Sequence, residues 1–198
     1  MLNIPSLFVP GSLNMQLDPK STALVLIDLQ KGVLAMPVAP HPATEVYERS
    51  MRLAQRFHAA KAPVVRVRVS FAADLADALH PPVDQPTNYA ALPPGWDEFP
   101  EPPRASDLII TKKQWGAFYG TELDLQLRRR GVRCIVLGGI ATYIGVESTA
   151  RSAAEQGYEL VIPEDLCSCL SAQTHAFSFK HVFPRIARMT TSDAITLG

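Results

Sequence analysis

This sequence lacks what a disulfide scaffold, a membrane protein or a polyanion-binding protein would need. Its 198 residues include three cysteines, Cys134, Cys167 and Cys169. An odd number at these spacings builds neither a disulfide framework nor a zinc site. Cys134 lies in an apolar run from Arg133 to Leu137 and reads as a small core residue. Cys167 and Cys169 sit in a loop-like stretch with no basic neighbour to stabilise a thiolate. Nineteen Lys and Arg balance nineteen Asp and Glu, giving a formal net charge of zero. No basic field exists to attract nucleic acid or an anionic membrane. No apolar run approaches the roughly 18 residues of a membrane span. Met1 to Asn14 lack the charged start and apolar centre of a signal peptide, which points to the cytoplasm. Neither a Walker loop nor G-x-G-x-x-G occurs, and no internal repeat is visible.

What is present is a succession of strand-length apolar runs. They cover Ala23 to Ile27, Pro63 to Val69, Leu108 to Thr111, Cys134 to Leu137, Glu159 to Ile162 and, after Pro184, Arg185 to Arg188. Most are continuous, as in strands buried on both faces of a parallel sheet. Val65-Arg66-Val67-Arg68-Val69 alternates instead and predicts one wetter face. Helical patterns fall between the runs. Val46, Leu53, Ala54 and Phe57 share a face within Thr44 to Ala60. Thr121 to Arg130 opens on Thr121 and Asp124, a capping-box variant, and stops at Gly131. Val146 to Gln156 ends at Gly157. Thr174 to His181 and Ser192 to Leu197 complete the set. Alternating strands and helices imply βαβ units and one α/β domain over residues 1–198. Residues 1–20 form an N-terminal extension. Residues 70–106 form a Pro-rich insertion holding eight of the seventeen prolines, with at most a short helix from Asp74 to Leu79. A lid, an oligomer contact and a plain insertion all fit that segment.

Ligands of parallel sheets bind beyond the C-terminal strand ends. Asp28 directly follows the first run, where a carboxylate caps the next turn or serves chemistry. Lys112 follows the third run in a comparable place, and the two would form a coupled acid/base pair. Lys113 would point elsewhere, to solvent. After the fourth run, Gly138 to Gly145 leads into a helix and offers backbone N–H groups for an anion or a developing oxyanion. Ala141, Thr142, Tyr143, Ile144 and Gly145 are therefore candidate substrate or oxyanion residues. Trp115, Phe118 and Tyr143 flank the site, as packing residues or as walls for a flat ring. Arg128 to Arg130 read as a solvated helix end, and His175 and His181 as structural.

These stretches are specific in combination. Thr22 to Gln30, Lys112 to Thr121, Gly139 to Arg151, Gly157-Tyr158 and Glu164-Asp165 resemble the isochorismatase-like hydrolases, often called cysteine hydrolases, from Thr22 to Thr196. The resemblance implies a three-layer α/β/α fold with a six-stranded parallel sheet and an active-site Asp and Lys at Asp28 and Lys112. It also implies a cis peptide at Ile140-Ala141 and a substrate-facing Gln30. Most relatives carry a nucleophilic Cys where this chain has Gly145, and the metal-binding histidines of some members are absent after the second strand, so no metal and no cofactor is expected. The resemblance therefore implies a hydrolase acting on a small carboxylated or vinyl-ether metabolite through Asp28, without a covalent intermediate. Lys112 would hold a substrate carboxylate or orient Asp28. A non-catalytic ligand-binding or assembly protein, and an amidase using Cys167 or Cys169, are the alternatives. A homo-oligomer, dimer or tetramer, is expected from the family.

Overall fold

The computed structural model describes residues 14–198. Residues 1–13, most of the stretch read for a signal peptide, lie outside the described residues. A small parallel pair joins β1 (Met15–Leu17) to β9 (Ile195–Leu197). The main sheet contains β2 (Thr22–Ile27), β3 (Val64–Val69), β4 (Leu108–Lys112), β5 (Cys134–Ile140), β6 (Glu159–Pro163) and β8 (Arg188–Thr190). Their spatial order is β4-β3-β2-β5-β6-β8, every pairing is parallel, and a two-residue strand, β7 (Cys167–Ser168), extends the edge of β5. The chain winds outward from β2 through β3 to β4, then returns to β5 and winds the other way. The reversal lies between β2 and β5, where a parallel sheet opens a crevice for a ligand.

Both sheet faces are covered. Leu24, Leu26 and Val136 pack with Val46, Leu53 and Phe57 of α2 (Ala43–Ala59), and Val33 and Leu34 of the short α1 (Lys31–Leu34) lie against the same cluster. Ala23, Val25 and Ile27 point the other way, onto Leu123 and Leu127 of α3 (Leu123–Arg129) and Ala150 and Ala153 of α4 (Glu147–Glu155). All six residues of β2 are buried, which is why that strand reads as a continuous apolar run. Each fully buried aliphatic side chain contributes roughly 1.5–3 kcal/mol. Helices α3 and α4 end as their glycines foretell, with Gly131 at φ +70° and Gly157 at φ +81°. The amides of Val132 and Tyr158 reach back five residues to the carbonyls of Leu127 and Ala153, the bond that closes a helix C-terminus. No helix among the described residues is long and apolar enough to cross a membrane.

Five local expectations need correction. The final helix expected over Ser192 to Leu197 is a 3-10 turn, Ser192–Ala194, followed by β9. Six residues are too few to nucleate a free helix, and β1 offers a strand partner. The last strand of the main sheet is Arg188–Thr190 rather than Arg185 to Arg188, because Pro184 opens a 3-10 turn over Phe183–Arg185. Asp74 to Leu79 forms turns, with Leu75 at φ +58° breaking any helix. The Thr121 hydroxyl accepts from the Leu123 amide, but Asp124 bonds Arg128 and Tyr158 instead of closing a capping box. Finally, β3 has no wet face at Arg66. The insertion lays Phe99 4.3 Å from its guanidinium, and Arg66 is 4% exposed.

Candidate active site

Asp28 is the first residue past β2, and its φ of +55° puts it in the left-handed region. Asp tolerates that region better than most residues, at a cost of order 1 kcal/mol. Two bonds hold the bend, from the Asp28 amide to the Val67 carbonyl (3.0 Å) and from the Gln30 amide to the Asp28 carbonyl (2.8 Å). The bend aims the carboxylate across the crevice at Lys112, which ends β4. Asp28 Oδ2 and Lys112 Nζ are 2.7 Å apart, and both residues are buried.

The two oxygens of Asp28 have different surroundings. Oδ2 meets the ammonium, whereas Oδ1 is buried without any protein partner. Burial pushes the Asp28 carboxyl up from its ordinary range, against the charge and hydrogen bond of Lys112. The Lys112 ammonium, in turn, has three acceptors for its three protons. They are Asp28 Oδ2, the Trp115 carbonyl (2.8 Å) and the Gln114 carbonyl (3.1 Å). Lys112 thus pins the loop after β4 and orients Asp28, leaving no proton for a substrate carboxylate.

Gly145 closes the third side. It belongs to a π-helical turn, Thr142–Val146, that leads into α4. A Cβ added there would stand 2.9 Å from Ile27 Cγ2, 3.1 Å from Asp28 Oδ2 and 3.4 Å from Lys112 Nζ. The Ile140–Ala141 peptide is cis, as the resemblance implied. The amides of Thr142 and Tyr143 donate to no carbonyl among the described residues.

The other expected site residues divide. Trp115 and Ile144 line a cavity of about 830 Å³ that opens above Asp28 and Lys112. Phe118 does not reach it; the ring is buried in the core, 5.8 Å from that of Tyr158. It belongs to the core cluster that holds Leu123 and Leu127 of α3 and Ala150 and Ala153 of α4. Gln30 is fully buried and faces backbone. Its Oε1 accepts from the Val69 amide (2.9 Å), and its Nε2 donates to the Val69 and Trp96 carbonyls (3.1 and 3.3 Å). It ties the insertion to β3 and touches no ligand space. Ala141 is half-buried, Tyr143 is 38% exposed, and neither lines the cavity. Thr142 is buried, with its hydroxyl between the Ser168 carbonyl (3.0 Å) and His175 Nδ1 (2.9 Å). His175 Nε2 then meets Glu164 (2.9 Å), which also meets His41 (3.0 Å). Burial raises the Glu164 carboxyl, but the two histidine hydrogen bonds outweigh it and hold the group at about 2. His175 is therefore structural, bracing the turn that carries Gly145. Lys113 is partly exposed, as expected, and it pairs with Asp77 and donates to the Ser70 carbonyl (2.7 Å).

Sequence reasoning missed the cavity's other wall. Phe71, Tyr89, Leu92 and Trp96 come from the insertion. The length of that segment signalled a covering element, but irregular backbone has no periodicity to show which side chains face inward.

An isochorismatase domain model matches residues 22–194. The chain belongs to the isochorismatase family. It is 52% identical over 183 residues to the uncharacterized isochorismatase family protein YecD of Escherichia coli O157:H7, covering 91% of this chain and 97% of that one. YwoC of Bacillus subtilis, likewise an uncharacterized family member, is 42% identical over 183 residues, covering 90% and 94%. An isochorismatase family protein from Burkholderia thailandensis has the same fold, with TM-score 0.85, 42% identity and coverage of 91% and 96%. N-carbamoylsarcosine amidase from Thermoplasma acidophilum aligns with TM-score 0.69 at 25% identity, covering 87% and 97%. The protein is thus an isochorismatase-family hydrolase by descent and fold.

Proposed function

We propose that this protein hydrolyses a small metabolite by proton transfer from Asp28, without a covalent cysteine intermediate, and that an enol (vinyl) ether is the bond it cleaves. The single observation that carries this is Asp28 itself: the residue lines the cavity, and its Oδ1 is buried without a protein partner. Burial raises the pKa of this carboxyl above the ordinary Asp range, the direction a general acid needs. In such a step the Asp28 O–H protonates the terminal vinyl carbon. The C=C electron pair forms the new C–H bond, and the ether oxygen stabilises the resulting cation as an oxocarbenium. Water adds to that carbon and returns a proton to Asp28. The hemiketal (hemiacetal for an unsubstituted vinyl group) then breaks its C–O bond to give a carbonyl compound and an alcohol.

Two observations disfavour amidase chemistry by a thiol. At residue 145, where the resemblance places the nucleophile of most relatives, the Asp28–Lys112 pair crowds the space a side chain would need. Cys134, Cys167 and Cys169 are all buried, and burial pushes the Cys134 and Cys167 thiols up, away from thiolate.

The test is turnover of an enol-ether panel, from isochorismate to 4-nitrophenyl vinyl ether, by wild type and Asp28→Asn. Release of carbonyl product should fall by about two to four orders of magnitude in the variant. Wild-type rate should decline as pH rises through the elevated Asp28 pKa, since the acid form does the work. Equal turnover in Asp28→Asn would remove Asp28 from the chemistry. Binding of panel members without any turnover would favour a non-catalytic, ligand-binding role.

A further inference from the structure

The cavity's size, lining and charge together restrict what can enter it, taking it as the substrate site proposed above. About 830 Å³ is ample for a ring with substituents. The wall contributed by the insertion is an aromatic cluster. Phe71 stacks on Trp96 with centroids 5.9 Å apart and meets Tyr89 edge-on at 5.1 Å. Trp115 and Ile144 stand on the opposite side, from the loop after β4 and the turn before α4.

The charges of the lining are already neutralised. Lys112 spends its protons on Asp28 and on two carbonyls. Lys113 is held by Asp77 and the Ser70 carbonyl. His80, the remaining basic residue of the lining, lies at the exposed rim and contacts the Leu75 carbonyl. A carboxylate entering this space would lose hydration without gaining a free cation, at a cost no apolar wall repays. A neutral ring would gain aromatic contacts at no such cost.

We infer that the cavity selects an uncharged substrate with an apolar, ring-bearing body, and that Phe71, Tyr89 and Trp96 of the insertion set this preference. Anionic ring compounds, a carboxylated enol ether included, are discriminated against.

Both tryptophans of the chain, Trp96 and Trp115, line the cavity, so intrinsic fluorescence reports its occupancy. Benzamide and benzoate, nearly equal in size, are titrated against the full-length protein at pH 7.5, with Trp115→Phe isolating Trp96. Benzamide should quench Trp96 and bind at least roughly tenfold tighter than benzoate, the smallest penalty expected for a buried, unpaired anion. Tyr89→Leu and Phe71→Ala should each weaken benzamide roughly fivefold while circular dichroism stays unchanged. Benzoate binding as tightly as benzamide would overturn the preference. Absence of quenching by either, or unchanged affinity in a folded Phe71→Ala and Tyr89→Leu, would overturn the assignment of the aromatic wall. These are binding measurements, so their failure leaves the Asp28 turnover assay to stand or fall separately.

Discussion

A single methyl group at residue 145 measures how closely Asp28, Lys112 and the π-helical turn are fitted. In Gly145→Ala the new carbon would lie 2.9 Å from Ile27 Cγ2 and 3.1 Å from Asp28 Oδ2. Ile27 is fully buried and belongs to a packed cluster, so its methyl has nowhere to go. Either the turn retreats from β2 or Asp28 rotates and lengthens its 2.7 Å contact with Lys112. Overpacking of this kind costs about 1–3 kcal/mol. For a chain of this size each kcal/mol lowers Tm by about 2–4 °C, so a loss of roughly 2–12 °C is expected. Turnover should fall with it, because the proton donor moves, while the far-UV circular dichroism remains native. Gly145→Cys should behave like Gly145→Ala, with a similar Tm loss and no amide hydrolysis. Differential scanning fluorimetry and the enol-ether assay together check this. A Gly145→Ala variant with wild-type Tm and rate would show that the crowding is not real and that the glycine is dispensable. A Gly145→Cys variant with amidase activity would refute the argument that Asp28 excludes a nucleophile.

Other residues make sharper, smaller tests. Lys112→Met leaves a buried carboxylate unpaired, which costs about 3–5 kcal/mol at neutral pH. Because burial raises the Asp28 pKa in the folded state, the native state holds the extra proton. Urea midpoints of the variant should therefore fall as pH rises from about 4 through the raised pKa, and more steeply than in wild type; a pH-independent loss would count against this. Glu164 has the opposite sign. Its carboxyl sits at about 2 against 4.5 when free, so its contribution is present above pH 4.5 and is lost as pH falls toward 2. Glu164→Gln should flatten that acid limb, again read from urea midpoints. Gln30→Leu strips partners from the Val69 backbone and Trp96. It should cost about 1–3 kcal/mol and raise KM by loosening the insertion, which thermal melts and kinetics would register. Phe118→Leu should lower stability by roughly 1 kcal/mol with KM unchanged; an altered KM would restore Phe118 to the site.

The strands β2 and β5 were readable because each is buried on both faces, and a continuous apolar run records that condition directly. The helix stops at Gly131 and Gly157 were readable for the same local reason, since a left-handed residue must follow the last turn. Asp28 and Lys112 stood out because charges rarely end buried strands. The misplacements share a different cause. Phe118 and Gln30 lie within matched stretches, yet which way each side chain turns depends on neighbours far along the chain. Arg66 alternates with valines like a residue on a wet face, and only the insertion, more than thirty positions later at Phe99, covers it.

The sequence alone determined the succession of the strands β2 to β6 with helices between them, and the two ionisable residues, Asp28 and Lys112, at strand ends. Tertiary structure decided their chemistry. Parallel register sets Ile27 beside Val67 on one side and Gly139 on the other, and Val69 beside Lys112. That register brings residues 28, 112 and 145 to one point. It decides that Lys112 spends its protons on Asp28 and the loop carbonyls, that one Asp28 oxygen is left unpartnered, and that residue 145 has no room for a side chain. Hydrophobic periodicity is a property of neighbours in sequence. Donor counts, burial and steric room are properties of neighbours in space, and they exist only once the sheet has closed its switch point.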